Sequence, residues 1–489
     1  MAKYSLQAVP ARNMQHIMLA GELPMDWKTE SLRRLFNPQS VAVIGASDKP
    51  QKLGCLALRA LTGFSGDLYP VNPNHKSIEG LRCFPTIQNA PRSVDLAVIA
   101  LQAPQVLGAI QDCAHAGVRS AIIFSAGFRE LGPEGEAVQE EVKNAADEAH
   151  IAVIGPNCLG AGNIRIGLNA TFFPHPVDLR RGEVSLVSQS GGVAGLMIYA
   201  ASDAGLGIAK FASIGNRVNI DFHDMLRFLS QDDETRVICL FIEGTEYGRM
   251  MYEEMARVTS RKPVIVYKVG KTPASKRAAK SHTGSLAGLH ELYSAAVKQA
   301  GAVEVESVTE MIDTAKVLER TGSRSPSPGV AILTHTLGPA LIAAQILEER
   351  GLSLPLPSEK TALAIEEMLS MPVHVPISNP VDLLAQGWAE PRIFAGALRL
   401  ILQEEQYGAV MTVFSPNYQE EIGGGMPVRE MVEMTRQSGK TVVAVLNSPE
   451  LRAPPGKAAL EDGGIPVFSS PERAARALAN VLRSRAMGE

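Results

Sequence analysis

The sequence predicts an α/β protein made of successive parallel-sheet units, and three observations carry that prediction. Short β-branched runs alternate with amphipathic segments at the spacing of βα units along most of the chain. The alternation breaks off and restarts twice, first after a stretch containing Pro and Arg, then after one rich in Ser, Pro and Gly. The length, 489 residues, suits three domains of ordinary size, each able to bury its own core.

Residues 1–36 carry little pattern and read as an N-terminal extension. The first unit, residues 37–172, has strand candidates at Ser40–Ile44, Asp67–Val71, Leu96–Leu101, Ser120–Phe124 and Ile151–Ile154. A connector runs from Phe173 to Gly182. The second unit, residues 183–320, offers Val184–Val187, Ile208–Ala212, Val237–Ile242, Val264–Lys268 and Gly301–Val305. Residues 321–329, from Thr321 to Gly329, hold nothing apolar to bury and read as a linker. The third unit, residues 330–489, opens at Val330–Leu333 and continues with Ala409–Phe414, Thr441–Leu446 and Val467–Phe468.

Composition narrows the function classes. Aromatics are only 5% and the net charge is −4, so neither a stacking surface nor a basic field for nucleic acid is present, and an anionic membrane is an equally poor partner. The five cysteines form no CxxC or close pair, which offers neither a disulfide framework nor a zinc site and fits a reducing cytoplasm. No secretion signal and no apolar run of membrane-spanning length is legible.

In the first unit, Val41-Ala42-Val43-Ile44 runs into Gly45-Ala46-Ser47, a strand followed by a glycine turn that can present backbone N–H groups to a phosphate. A turn that merely closes a βα unit has the same residues. The dinucleotide fingerprint is missing: Ser47 stands where a second glycine belongs and Pro50 where a third does. The second strand ends in Asn72-Pro73-Asn74 instead of the acid that would bind ribose hydroxyls in NAD enzymes. Asn72 and nearby Lys76 would tolerate a ribose phosphate, which CoA carries on its ADP portion. Phe124-Ser125-Ala126 and Gly155-Pro156-Asn157-Cys158 also follow strands, at the carboxyl edge where open α/β sheets bind ligands. Cys158 reads as a small buried hydrophobe.

In the second unit, Val184–Val187 leads into Ser188-Gln189-Ser190-Gly191-Gly192 and then a helix, a start that favours an anion and adds two hydroxyls. A plain Ser N-cap would look alike. Further on, His282 sits among small residues, in Lys280-Ser281-His282-Thr283-Gly284-Ser285, after Lys271, Lys276 and Arg277. Neutral imidazole is nucleophilic near pH 7 and suits a phosphoryl carrier, with Glu243 a candidate to orient it. Taken alone, the same histidine fits a structural or solvated role.

Together with Ser213-Ile214-Gly215-Asn216, Ile242-Glu243-Gly244, Leu286-Ala287-Gly288 and Asn379-Pro380-Val381-Asp382-Leu383, these motifs resemble the succinyl-CoA synthetase superfamily, and within it the ADP-forming acyl-CoA synthetases, over about residues 37–489. The resemblance implies a Rossmann-like CoA-binding domain followed by two flavodoxin-like domains. It makes His282 the phosphorylated histidine and Glu243 its orienting carboxylate. Ser188, Ser190, Gly191 and Gly192 become the phosphate-binding helix start. Gly45, Ala46, Ser47, Lys76, Phe124, Ser125, Ala126 and Asn157 fall on the CoA side. The implied reaction is acyl-CoA + phosphate + ADP ⇌ carboxylic acid + CoA + ATP, with Mg²⁺ balancing the phosphate charge.

Two departures from the family pattern shape the remaining expectations. No ATP-grasp segment is legible, so the nucleotide site is expected on a separate ATP-grasp β-type subunit of a hetero-oligomer. The third unit opens Thr334-His335-Thr336-Leu337-Gly338, with Leu337 in place of one of a glycine pair, which puts a second phosphate station there in question. A CoA-thioester-binding or regulatory module without ligase turnover is the alternative from another class. An NAD oxidoreductase is disfavoured by the broken fingerprint and Asn72.

Overall fold

Every residue of the first strand, β1 (Ser40–Ile44), is buried, which requires cover on both faces, and the surrounding chain supplies it. The computed structural model describes residues 26–173, 179–275, 290–321, 327, 329–369, 376–415, 426–448 and 455–486. The first sheet comprises β1, β2 (Asp67–Val71), β5 (Leu96–Ile99), β6 (Ser120–Ile123) and β7 (Ala152–Ile154), parallel throughout in the order β2-β1-β5-β6-β7. A separate antiparallel pair, β3 (Ser77–Ile78) and β4 (Leu81–Arg82), follows β2. The helices are α1 (Trp27–Phe36), α2 (Leu53–Ala60), α3 (Ala103–His115) and α4 (Pro133–Glu148). The chain leaves β1 toward β2 and returns on its other side at β5, so the topological switch point lies at the carboxyl end of β1, beside the Gly45 turn.

Helix α1 lies inside the segment read as a patternless extension. Its Leu32, Leu35 and Phe36, spaced for one helical face, are all fully buried. Asp26 caps it by accepting from Thr29 N at 2.8 Å. The Phe36 ring stacks on Phe228 at 5.1 Å, which docks the helix onto the second unit.

The second sheet has seven strands: β8 (Gly160–Asn163), β9 (Leu168–Thr171), β10 (Arg180–Ser188), β11 (Gly207–Ser213), β12 (Val237–Ile242), β13 (Val264–Lys268) and β14 (Val303–Val305), in the order β14-β13-β12-β10-β11-β8-β9. Its helices are α5 (Gly191–Asp203), α6 (Phe222–Ser230), α7 (Gly248–Thr259), α8 (His290–Gln299) and α9 (Val308–Thr321). The β8–β9 hairpin, which the sequence grouping put with the first unit, pairs antiparallel with β11 of the second. Packing explains it: a Cβ on Gly162 would stand 2.5 Å from the Phe211 ring, so the small residues of β8 leave room for that ring. Arg180–Gly182 of the expected connector already belong to β10.

The third sheet is parallel, with β15 (Gly329–Thr334), β16 (Val381–Asp382), β17 (Tyr407–Phe414), β18 (Thr441–Leu446) and β19 (Val467–Phe468) in the order β16-β15-β17-β18-β19. Around it lie α10 (Leu337–Glu349), α11 (Glu359–Leu369), α12 (Leu384–Ala389), α13 (Pro391–Gln403), α14 (Val428–Ser438), α15 (Lys457–Asp462) and α16 (Pro471–Ala486).

The units share cores. One apolar cluster runs from Leu186 and Phe211 of the second sheet to Ile332 and Val413 of the third and Leu478 of α16. Another joins Val43 and Ile154 of the first sheet to Val187 and Val264 of the second and to Ile214 in the loop after β11. Polar ties fix the seam between the second and third units: Arg473 donates to both carboxylate oxygens of Asp313 at 2.8 Å each, and Asn480 donates to Glu310 at 3.0 Å and Thr314 at 3.1 Å. The buried Lys316 ammonium reaches the Val467 carbonyl at 2.7 Å and Glu461 at 2.6 Å.

Candidate functional site

At the switch point the structure redistributes the expected donors. Gly45 N and Ala46 N both donate to the Val71 carbonyl, at 3.1 and 3.3 Å, so these two groups serve the fold and not a phosphate. The reason is geometric: Gly45 turns with φ +85°, folding its N–H and the next back toward β2. Asn72 holds the same turn by donating to the Ala46 carbonyl at 2.8 Å. Ser47 and the exposed Lys76 lie on the loops after β1 and β2, where His75 Nδ1 comes within 4.0 Å of the Asp48 carboxylate. Sequence reasoning missed Gly54. A Cβ there would stand 2.1 Å from the Gly45 carbonyl oxygen, so α2 presses directly on the turn. That is the helix–strand approach assigned to the third glycine of a dinucleotide turn, here placed later because the loop is longer.

A second group of loops gathers where the first and second sheets meet. Asn157 N donates to Ser125 O at 2.8 Å, Asn216 N to Pro156 O at 2.9 Å, and Ile214 N to Ser188 O at 2.8 Å. Loops following β6, β7, β11 and β10 are thereby knitted into one surface. Asn157, with φ +57°, and Arg217, with φ +61°, both adopt the left-handed region in this surface, which asparagine tolerates readily but arginine holds only where its surroundings enforce it. Asn157 also donates its side-chain amide to Asn216 at 3.4 Å. Phe124 is buried against Phe172 with ring centroids 5.2 Å apart, Ala126 is exposed, and Ser125 places a buried hydroxyl among these loops. Glu130 accepts from Gly127 N at 2.6 Å, Phe128 N at 3.1 Å and Asn216 Nδ2 at 2.6 Å. Burial raises the Glu130 pKa, but the bonds from Gly127, Asn216 and Phe128 outweigh it and hold the carboxyl below its ordinary range. Cys158 is fully packed, and burial pushes its thiol up to about 12, which suits a small hydrophobe.

Helix α5 starts at this surface. A Cβ on Gly191 would lie 3.3 Å from Leu159 N and 3.7 Å from Ser213 Oγ, so the helix start of the second unit abuts the Asn157–Leu159 loop of the first. Ser190 is the N-cap and accepts from Val193 N at 3.4 Å, while the Ser188 hydroxyl donates to the Ser190 carbonyl at 2.7 Å. Gly191 and Gly192 leave the first-turn N–H groups uncovered by side chains, and the helix dipole favours an anion there. Glu243, buried at the end of β12, has its N–H held by Gln189 Oε1 at 2.9 Å and its carbonyl held by Lys268 Nζ at 2.8 Å. Its backbone is therefore fixed close to the α5 start. His282 lies outside the described residues. The structure thus brings together Ser125, Asn157, Ser188, Ser190, Gly191, Gly192 and Glu243, and holds Gly45, Ala46, Ser47 and Lys76 at the switch point of the first sheet.

The third unit repeats this construction with different chemistry. Thr334 Oγ1 donates to Thr336 O at 2.9 Å, the counterpart of Ser188 on Ser190. His335 accepts from Ser415 N through Nε2 at 2.9 Å, as Gln189 accepts from the loop after β12. Burial keeps the His335 pKa below its ordinary value, consistent with the neutral acceptor that this bond requires. Leu337, the first residue of α10, is 41% exposed and puts an apolar side chain where the second unit has glycine.

Comparison with known proteins agrees with this architecture. Residues 39–163 match the family model for a CoA binding domain, and residues 181–318 match the succinyl-CoA ligase like flavodoxin domain. The acetate–CoA ligase [ADP-forming] II subunit alpha of Pyrococcus furiosus is 34% identical over 464 residues, 93% of this chain and 98% of that one. The acetate–CoA ligase [ADP-forming] I of Archaeoglobus fulgidus is 36% identical over 447 residues, 91% of this chain but only 63% of that protein. The solved structure of the dinucleotide forming acetyl-coenzyme A synthetase 1 of Ca. Korarchaeum cryptofilum, in complex with phosphate and ADP, superposes with a TM-score of 0.83 at 32% identity, covering 94% of this chain and 97% of that one. Fold and matched domains define the class, a CoA ligase of the succinyl-CoA synthetase type. The chain belongs to the ADP-forming acid–CoA ligase family and corresponds along its length to the α subunits of that family.

Proposed function

We propose that this chain is the CoA- and phosphate-handling subunit of a cytoplasmic NDP-forming acid–CoA ligase, with His282 as phosphoryl carrier. The carrying observation is the contact between the two units: the Asn157–Leu159 loop, at the carboxyl edge of the CoA-binding sheet, lies against the glycine start of α5. A thioester carbonyl presented from one side and a phosphate seated on the other would then meet. Phosphate oxygen attacks the thioester carbon, the C–S bond breaks, and CoA leaves as the thiol after taking a proton. Imidazole nitrogen of His282 attacks the phosphorus of the acyl phosphate and the carboxylate departs. The Glu243 carboxylate would accept a hydrogen bond from the protonated ring nitrogen and so keep the other nitrogen toward phosphorus. The phosphoryl group then passes to ADP on a separate ATP-grasp subunit, where Mg²⁺ would accompany the nucleotide. Among the described residues no cluster of three or more His, Cys, Asp or Glu could hold a metal ion, and no helix is long and apolar enough to cross a membrane.

The test is the intact mass of the purified chain after incubation with a panel of acyl-CoAs, phosphate and Mg²⁺, wild type beside His282→Ala. This half-reaction needs no nucleotide site. An acid-labile gain of one phosphoryl group, absent from the variant, is the expected result, and the acyl-CoA that produces it names the acid. A wild-type chain that stays unmodified, also with an ATP-grasp partner and ATP, rules the ligase reading out.

A further inference from the structure

Two polar atoms near the first turn of α5 have no hydrogen-bond partner among the described residues, although both are sealed from water: Ser213 Oγ and Gln189 Nε2. Ser213 is 0% exposed and Gln189 2%. Buried polar groups are almost always paired, so two such orphans at one end of one sheet need an explanation. The Ser213 hydroxyl borders the helix start itself, 3.7 Å from the Cβ position of Gly191. The Gln189 amide cannot be turned over. Its Oε1 receives N–H groups from both Glu243 and Gly244, at 2.9 and 3.0 Å, so the other branch of the amide must be the NH₂. Meanwhile the Ser188 hydroxyl, an expected ligand donor, is committed to the Ser190 carbonyl at 2.7 Å. Among the described residues, Ser213 and Gln189 are therefore the side-chain donors of the second sheet left uncommitted at this end, with the buried Ser125 hydroxyl a further one on the facing loop of the first.

We propose that Ser213 Oγ–H and Gln189 Nε2–H donate to oxygens of a phosphate seated on the α5 N-terminus. The proposal rests on the ligase reading for why phosphate arrives there. Gln189 gains a second consequence from its position. One branch of its amide holds the Glu243 and Gly244 backbone and the other reaches the anion, so occupancy by phosphate stiffens the segment that carries Glu243. Ser213 has no such link and acts on phosphate alone.

The experiment measures inorganic phosphate affinity by calorimetry on the full chain, and the KM for phosphate in the enzyme assembled with its ATP-grasp subunit. Ser213→Ala removes a hydroxyl with no partner, so the phosphate-free protein should melt as wild type does, while its phosphate Kd rises about tenfold. Gln189→Glu keeps an oxygen for the Glu243 and Gly244 N–H groups but swaps the donor for a negative oxygen. Its phosphate affinity should fall by more than about tenfold near neutral pH and recover in part as the new carboxylate is protonated. Variants that are folded and bind phosphate with wild-type affinity overturn the proposal. If they are also phosphorylated at His282 with unchanged phosphate dependence, the ligase reading stands without these donors. A lower melting temperature with an unchanged phosphate response assigns both residues a structural role and likewise overturns it. A wild type that neither binds phosphate nor becomes phosphorylated removes this inference and the ligase reading together.

Discussion

Adding one methyl group at Gly54 should disable the CoA end of the molecule. The built Cβ lies 2.1 Å from the Gly45 carbonyl oxygen, 2.9 Å from the Gly45 carbonyl carbon and 3.0 Å from Ala46 Cα. All three neighbours are backbone, so no rotamer change relieves the overlap. Restoring an ordinary separation of about 3.4 Å from the oxygen moves α2 and the turn apart by about 1.3 Å. Overpacking on this scale costs about 1–3 kcal/mol, and the better helix propensity of Ala recovers less than about 1 kcal/mol of it. The displaced turn carries Ser47, and a shift near 1 Å at a binding edge is enough to cost an order of magnitude or more in function. Gly54→Ala should therefore lower the thermal midpoint by several degrees and weaken CoA binding, measured by calorimetry, at least tenfold, while phosphate affinity at the α5 start stays within about twofold of wild type. Unchanged stability and CoA affinity would refute the argument, because they would mean that the helix and the turn are not in the contact described.

Two further perturbations probe the seams between units. Glu130 has a depressed folded pKa, so its stabilisation is complete above about pH 4.5, its unperturbed value, and is lost as pH falls through the lower folded value. Glu130→Gln should melt below wild type at neutral pH, and the gap should close in acid; a gap that stays constant with pH would show that the carboxylate charge contributes nothing. Arg473→Ala strips the bidentate partner from Asp313, which is 2% exposed. Discounted for the 38% exposure of the Arg473 side chain, the loss should be about 2 kcal/mol in denaturant unfolding, with proteolysis admitted first in the third unit. A change below about 0.5 kcal/mol would mean that the apolar seam alone holds these units together.

Most of the sheet framework is legible in the sequence because its strands are buried on both faces. Val237–Ile242, Val264–Lys268 and Thr441–Leu446 are apolar runs, broken only by Lys268 at one end and Thr441 at another, and fold with the bounds read from the sequence. The β8–β9 hairpin is not legible. Gly160-Ala161-Gly162-Asn163 has no β-branched residue, and only the Phe211 ring across the sheet explains why small residues form a strand there. Helix α1 is missed for a different reason: its Leu32, Leu35 and Phe36 spacing is present but short, and it follows a long stretch without pattern. At the site, the Ser188–Gly192 helix start is visible as a motif, whereas which donors remain uncommitted is not. That depends on Ser188 turning to Ser190 and on Gln189 reaching across to the loop after β12, contacts that exist only once β10 and β12 pair. Gly54 leaves a faint sequence signal, a glycine just inside the helix after the turn, beyond the spacing of the dinucleotide fingerprint.

The β8–β9 hairpin also limits how this molecule can choose among substrates. It leaves the first sheet through the loop after β7 and is locked into the second by the Gly160 to Asn163 ladder on β11, so the two ligand-facing edges are parts of one continuous framework. Enzymes that close two lobes on a ligand spend part of its binding energy on the closure and gain discrimination from it. Closing the first two sheets on a ligand in that way would mean breaking the ladder that pairs Gly160 with Ser213 and Asn163 with Lys210.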